Sequence, residues 1–192
     1  MLVIGNGPVV TLADGAIVTG NSASGGAGIY VENNSTVRLT GNAQIINNRS
    51  GSGGGIFIQD NSALIVEGNA LIASNTALQR NGGAINAQNS KITIQGNARI
   101  VDNEANQTGG GINLAGVNGS TAVIGGNAVI SGNKAGDAGG GVIVWGISSV
   151  TVADNAQITG NIARQGEDVQ LEGGRLIRNG GTISIISDGG MQ

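Results

Sequence analysis

The stretch Gly82–Asn103, GGAINAQNSKITIQGNARIVDN, holds in 22 residues the pattern from which the rest of the chain is built. It opens on a run of small residues and then places apolar side chains in pairs: Ile85 and Ala87, Ile92 and Ile94, Ala98 and Ile100. The residue inside each pair is free to be polar, as Asn86, Thr93 and Arg99 show. Apolar residues at i and i+2 around a tolerant middle position mark a strand with one buried face. Between the pairs lie Gln-Asn-Ser and Gln-Gly-Asn, residues that turn a chain. The stretch therefore predicts three short strands joined by tight turns and closed by Asn103.

Outward from this stretch the same signs recur. Ala-x-(Ile/Val)-x-x-Asn occurs at Ala16–Asn21, Ala43–Asn48, Ala70–Asn75, Ala98–Asn103, Ala128–Asn133 and Ala156–Asn161, so the closing asparagines lie 27, 27, 28, 30 and 28 residues apart. A second marker, (Gly/Asp)-Asn-Ala, recurs at Asn42, Asn69, Asn97, Asn127 and Asn155. A third, a small-residue run ending in Ile or Val, recurs at Gly28-Ile29, Gly54–Ile56, Gly82–Ile85, Gly109–Ile112 and Gly139–Val142. Three markers in one register describe a repeat protein in which successive units stack. The predicted fold is all-β: a right-handed parallel β-helix of about six coils of roughly 28 residues, three strands per coil. One domain spans residues 1–192, with an opening coil over 1–24, five repeats over 25–172 and a terminal partial coil over 173–192. Its last strands are expected at Arg175–Ile177 and Thr182–Ile186, and both ends of the rod are expected to be open edges that invite end-to-end association or continuation into a longer parent. The column Arg38, Ile65, Thr93, Val123, Thr151 should point outward, because its flanking positions are uniformly apolar. Asn48, Asn75, Asn103, Asn133 and Asn161 should form a ladder, since a carboxamide carries both donor and acceptor and can bond to its copy one coil away.

Composition agrees with a narrow core and excludes much chemistry. Of 192 residues 37 are Gly and only one is Pro, aromatics are 2% and charged residues 11%, with a net charge of −3. The filling of the core must come from aliphatic side chains. No basic stripe is available for phosphate, so nucleic acid is not an expected partner. The lack of Cys and His removes disulfides, thiolate chemistry and the commonest general base and metal ligands. No stretch approaches the ~20 apolar residues of a membrane span. The opening residues do not read as a signal peptide. No cofactor and no metal is expected.

Gly82–Ile85 paired with Ile100–Asn103 resembles the repeats of chlamydial polymorphic outer membrane proteins, which carry Gly-Gly-Ala-Ile and Phe-x-x-Asn; here Ile or Val stands where their Phe stands. The run Ala128–Val142 is similar to repeats in large surface proteins of gut Clostridia. The likeness covers roughly residues 14–172. It implies a β-helix on a bacterial cell surface or secreted, serving as adhesin, passenger or stalk, with a host-surface protein or glycan as partner.

The rival class is a carbohydrate-binding or polysaccharide-degrading β-helix of the pectate-lyase kind, which needs converging carboxylates. Asp60, Asp102 and Asp137 fall at different places in their coils. The one acidic cluster is Glu167, Asp168 and Glu172 near Arg164 and Arg175, where neighbours along a strand should diverge. Gly-Gly-Gly runs occur without the Asp and the short period of a calcium-binding roll. The candidate ligand contacts are instead Tyr30, Phe57 and Trp145, the chain's three aromatic residues, with Tyr30 and Phe57 expected to stack and to continue into an exposed column Asn86, Asn113, Ile143; the alternative is a cross-strand pair that covers turn backbone and contacts no ligand. The expectation for activity is a non-catalytic structural or adhesive module.

Overall fold

A computed structural model describes residues 1–188. Every named strand in it pairs in parallel, and the strands stack into a right-handed parallel β-helix of about seven turns. One full coil contains Ile85–Gln88, Lys91–Ile94, Arg99–Val101 and a two-residue strand Glu104–Ala105. The first strand of each coil contributes to an eight-stranded sheet, and the short fourth strands form a five-stranded sheet. The second and third strands join one twelve-stranded sheet because Ser149–Thr159 runs unbroken through the corner that separates them elsewhere.

The two-residue strands extend the three expected per coil. They follow the ladder asparagine and read Ser-Ala, Arg-Ser, Thr-Ala, Glu-Ala and Lys-Ala, with Ser50, Ala77, Ala105 and Ala135 buried and Ala23 partly so. Two residues cannot show an alternation, so nothing in the pattern announced them.

Register places every repeat in vertical columns. Ile29, Ile56, Ile85, Ile112, Val142 and Val169 are consecutive partners in the first sheet, and all are fully buried. Val37, Leu64, Ile92, Ala122 and Val150 form a second such column, and Ile45, Ile72, Ile100, Ile130 and Ile158 a third. Fully burying an aliphatic side chain of this size contributes about 1.5–3 kcal/mol, and stacking lets every coil seal the next. The middle column Arg38, Ile65, Thr93, Val123 and Thr151 keeps its expected register and points away from the core.

The glycine runs carry two separate constraints. Gly109 opens its run at a φ of +66°, and a Cβ there would lie 2.7 Å from the Ile112 carbonyl oxygen. Gly83, second in its run, would place a Cβ 2.3 Å from the carbonyl oxygen of Gly110 in the next coil. Conformation decides the first position and close approach of stacked backbones the second.

Buried asparagines form the expected ladder. Each Nδ2 donates to the Oδ1 one coil on: Asn48 to Asn75 at 3.0 Å, Asn75 to Asn103 at 3.0 Å, Asn103 to Asn133 at 2.9 Å and Asn133 to Asn161 at 2.9 Å. Asn21 adds a rung at the beginning, donating to Asn48 at 2.9 Å. The second asparagine set makes a looser, exposed ladder, with steps of 3.1–3.3 Å from Asn155 through Asn127, Asn97 and Asn69 to Asn42. A column of buried serines was not anticipated: the amides of Ser35, Ser90 and Ser120 donate to the hydroxyls of Ser62, Ser120 and Ser148.

The last coil departs from expectation. Arg175–Ile183 is one continuous strand, not two, and Ile186–Asp188 follows it. Gly180 and Gly181, both at positive φ, carry the pairing past the corner beside Asp154. Of the terminal partial coil, residues 189–192 lie outside the described residues.

Candidate functional site

The outward side chains of the first sheet form the column Tyr30, Phe57, Asn86, Asn113, Ile143, Gln170. Its expected exposure is corrected by the structure: Asn86, Asn113, Ile143 and Gln170 are all buried although they face away from the core. The cause lies in the preceding turns. In the later coils the short strand is followed by Leu78–Asn81, Asn106–Thr108 or Gly136–Ala138 before the glycine run resumes, and this longer turn folds against the column. Thr108 Oγ1, for example, reaches Asn113 Oδ1 at 3.5 Å. In the first two coils only Ser24-Gly25 and Gly51-Ser52 intervene, and the side chains that follow stay half exposed. The rod surface thus carries a step.

At the step Tyr30 and Phe57 stack, with ring centroids 5.4 Å apart and planes 9° from parallel. Their cleft, of about 320 Å³, is walled by Ser24, Ser52, Gln79 and Arg80. A second hollow of about 340 Å³ borders the other side of Tyr30 and includes Val3 and Ala23. Charge is unequal across the pair. Burial pushes the Tyr30 phenol above its ordinary pKa, and the negative charges of Glu32 and Asp60 push it the same way, so it stays a neutral donor. Gln59 Nε2 ties these acids together, at 3.4 Å from Glu32 and 3.0 Å from Asp60. The opposite wall carries the Arg80 guanidinium, which makes no ion pair among the described residues. The arrangement offers two ring edges, hydroxyls, an amide and a cation around one open hollow.

Trp145 does not join this site. It lies in the strand Val142–Trp145, on the far side of the covered column, with 38% of its surface exposed. Its indole Nε1 donates to Asn113 Oδ1 at 3.0 Å, Asn113 donates to Asn86 Oδ1 at 2.8 Å, and Asn86 donates to Ser52 Oγ at 2.7 Å. Trp145 therefore terminates a polar relay that runs under the turns to the edge of the cleft. The donor-only indole suits that end of the chain.

The acidic residues of the last coil are dispersed. Asp168 turns into the rod and is buried, where its Oδ1 accepts from Asn161 Nδ2 at 2.9 Å and its Oδ2 from the Ile185 amide at 2.9 Å. Glu172 accepts from Gln170 at 3.0 Å, and Arg164 lies 3.8 Å from Asp137. Asp168 occupies the place in its coil held earlier by Gly28, Gly55, Ala84, Gly111 and Gly141. That break in a column of small residues was the sequence signal for its role. Among the described residues no group of three or more acidic, His or Cys side chains is placed to hold a metal ion. A further shallow groove of about 460 Å³, lined by Asn34, Asn61, Asn89, Asn118 and Lys91, follows the turn after the first strand, where Asn34, Asn61 and Asn89 adopt positive φ. No helix of the described residues is long and apolar enough to cross a membrane. Neither a family profile, a curated protein nor a solved structure matches this chain.

Proposed function

We propose that this β-helix is a non-catalytic structural and adhesive module of a bacterial cell-surface or secreted protein. The rod supplies reach and rigidity, because each buried column is continuous from coil to coil. The step at Tyr30 and Phe57 supplies the contact. The observation that carries this reading is that turn length changes there: two consecutive coils leave aromatic rings half exposed beside Arg80 and Gln79, while later coils bury the same column. Half-exposed aromatic and arginine side chains are the residue types that dominate binding surfaces. The ligand is a glycan or a host-surface protein that presents hydroxyl or carboxylate groups to this wall.

The test compares the unmodified chain with Tyr30→Ala/Phe57→Ala and with Arg80→Ala on immobilised glycans and on host-surface protein preparations. Retained folding by circular dichroism with binding reduced tenfold or more supports the reading. Binding that is equal in all three proteins removes the cleft from it, and turnover of any polysaccharide by the unmodified chain contradicts a non-catalytic module.

A further inference from the structure

The two ends of the rod differ in chemistry. In the first coil the inward residues Val10, Leu12, Ala16 and Val18 are only partly covered and Leu2 is 36% exposed. Their partners one coil further, Ile29, Val37, Leu39, Ala43 and Ile45, are fully buried. No charged side chain interrupts these columns at that end. At the other end Leu176 and Ile186 are inward and partly uncovered as well, but there Arg178 follows Val152 in one inward column, and Asp188 follows Leu171 in another. Charges at inward positions prevent a further apolar coil from stacking.

The amide ladder has a direction that matches this difference. Between carboxamides every Nδ2 donates to the Oδ1 on its C-terminal side, so the first rung presents an acceptor and the last a donor. Asp168, an acceptor without a donor when ionised, closes the last rung. At the first rung Asn21 Oδ1 faces outward along the rod and takes its hydrogen bond from the Met1 amine at 2.7 Å. In every later rung the equivalent oxygen accepts both an amide N–H and an Nδ2 from the coil before, as Asn75 Oδ1 does from Asn48 at 3.0 Å in each case. Pro8 does not close this edge. The equivalent Ser35 amide points into the rod toward Ser62, so the missing N–H of Pro8 faces inward too.

We propose that the face formed by residues 2–23 is a docking surface for one further coil of the same repeat. That coil runs parallel and carries a carboxamide donor at the ladder position. Arg178 and Asp188 make the opposite face a poorer seat for such a coil. A second copy of this chain fits less well in either orientation. Two-fold stacking sets Asn21 Oδ1 against its own copy, acceptor against acceptor, and end-to-end stacking sets Arg178 against Leu12 and Asp188 against Ile4. This inference does not depend on the adhesive reading.

The experiment uses the full chain with a copy of residues 28–54 joined through the same short linker either ahead of Met1 or after Gln192. A third protein carries Asn48→Asp within the copy placed ahead. Hydrogen exchange by mass spectrometry reads the added coil directly. Ahead of the face, amides of the added coil should exchange about tenfold or more slowly than in an unfolded peptide, and the urea midpoint of the whole chain should rise. After Gln192 the same coil should exchange as an unfolded segment, and Asn48→Asp should abolish most of the protection ahead. Equal protection at both ends, or none ahead, overturns the proposal. So does a stable dimer of the unmodified chain in sedimentation that the added coil dissolves, because the occupant is then a second copy.

Discussion

Asn103 shows what one side chain does in this architecture. Its Oδ1 receives both the amide and the Nδ2 of Asn75 at 3.0 Å, while its own Nδ2 donates to Asn133 Oδ1 and to the carbonyls of Ile72 and Val101. Asn103→Ala removes the acceptor for two buried donors at once. Each orphaned buried group costs ~1–3 kcal/mol, so the loss should reach about 2–6 kcal/mol in urea denaturation. A loss below about 1 kcal/mol would show that the ladder is not a structural element. Asp168→Asn is a narrower change. The new amide can serve Asn161 or Ile185 with its single oxygen but not both, as the carboxylate does. A loss of about 1–3 kcal/mol is expected, with faster hydrogen exchange concentrated in residues 183–188. Unchanged exchange there would contradict the capping role. The ladder was legible in the sequence because one residue type recurred at one spacing. Asp168 was not, because adjacent Glu167 drew it into an acidic cluster, and only its place in the column of small residues separates the two.

The element scale is where the sequence was least complete. Strands with alternating apolar pairs were readable, since burial on one face leaves a period of two. The two-residue strands after each ladder asparagine, and the length of the turns that follow them, leave no such trace. Those turns decide which outward side chains are covered, so the aromatic pair was legible and its cleft was not. Cross-coil pairs between strands give a further check. The Glu67 carboxylate is held below its ordinary pKa by the hydrogen bond from Gln95 and then by the one from Arg38, its partner in an ion pair between neighbouring coils. Because the folded pKa is depressed, the interaction stabilises the fold above the unfolded value of 4.5 and is lost as pH falls through the lower folded one. Both side chains remain partly exposed, so the gain is at most about 1 kcal/mol. Comparing the native chain with Glu67→Gln across pH should give a stability difference that is constant above about pH 5 and shrinks below it. A difference independent of pH down to the acid limit would exclude the effect.

For the whole molecule, stability is a sum of coils and the interfaces between them, so no coil is stable apart from its neighbours. The repeat made the right-handed β-helix readable from the chain alone. The inequality of its ends was not readable, because Arg178 and Asp188 look like ordinary surface charges until register places them in inward columns. Since the chain contains no cysteine, vertical stacking can be tested by introducing two. Thr93 and Val123 are outward partners in adjacent coils, where stacked strands lie ~4.8 Å apart, within the span that a disulfide bridges. Ile65 and Val123 are two coils apart, beyond that span at roughly 9.6 Å. The decisive measurement is the oxidation of Thr93→Cys/Val123→Cys beside Ile65→Cys/Val123→Cys, read by mass spectrometry of the monomer. Stacked coils predict an intramolecular disulfide in the first protein and free thiols in the second; a bridge in the second, or none in the first, contradicts them.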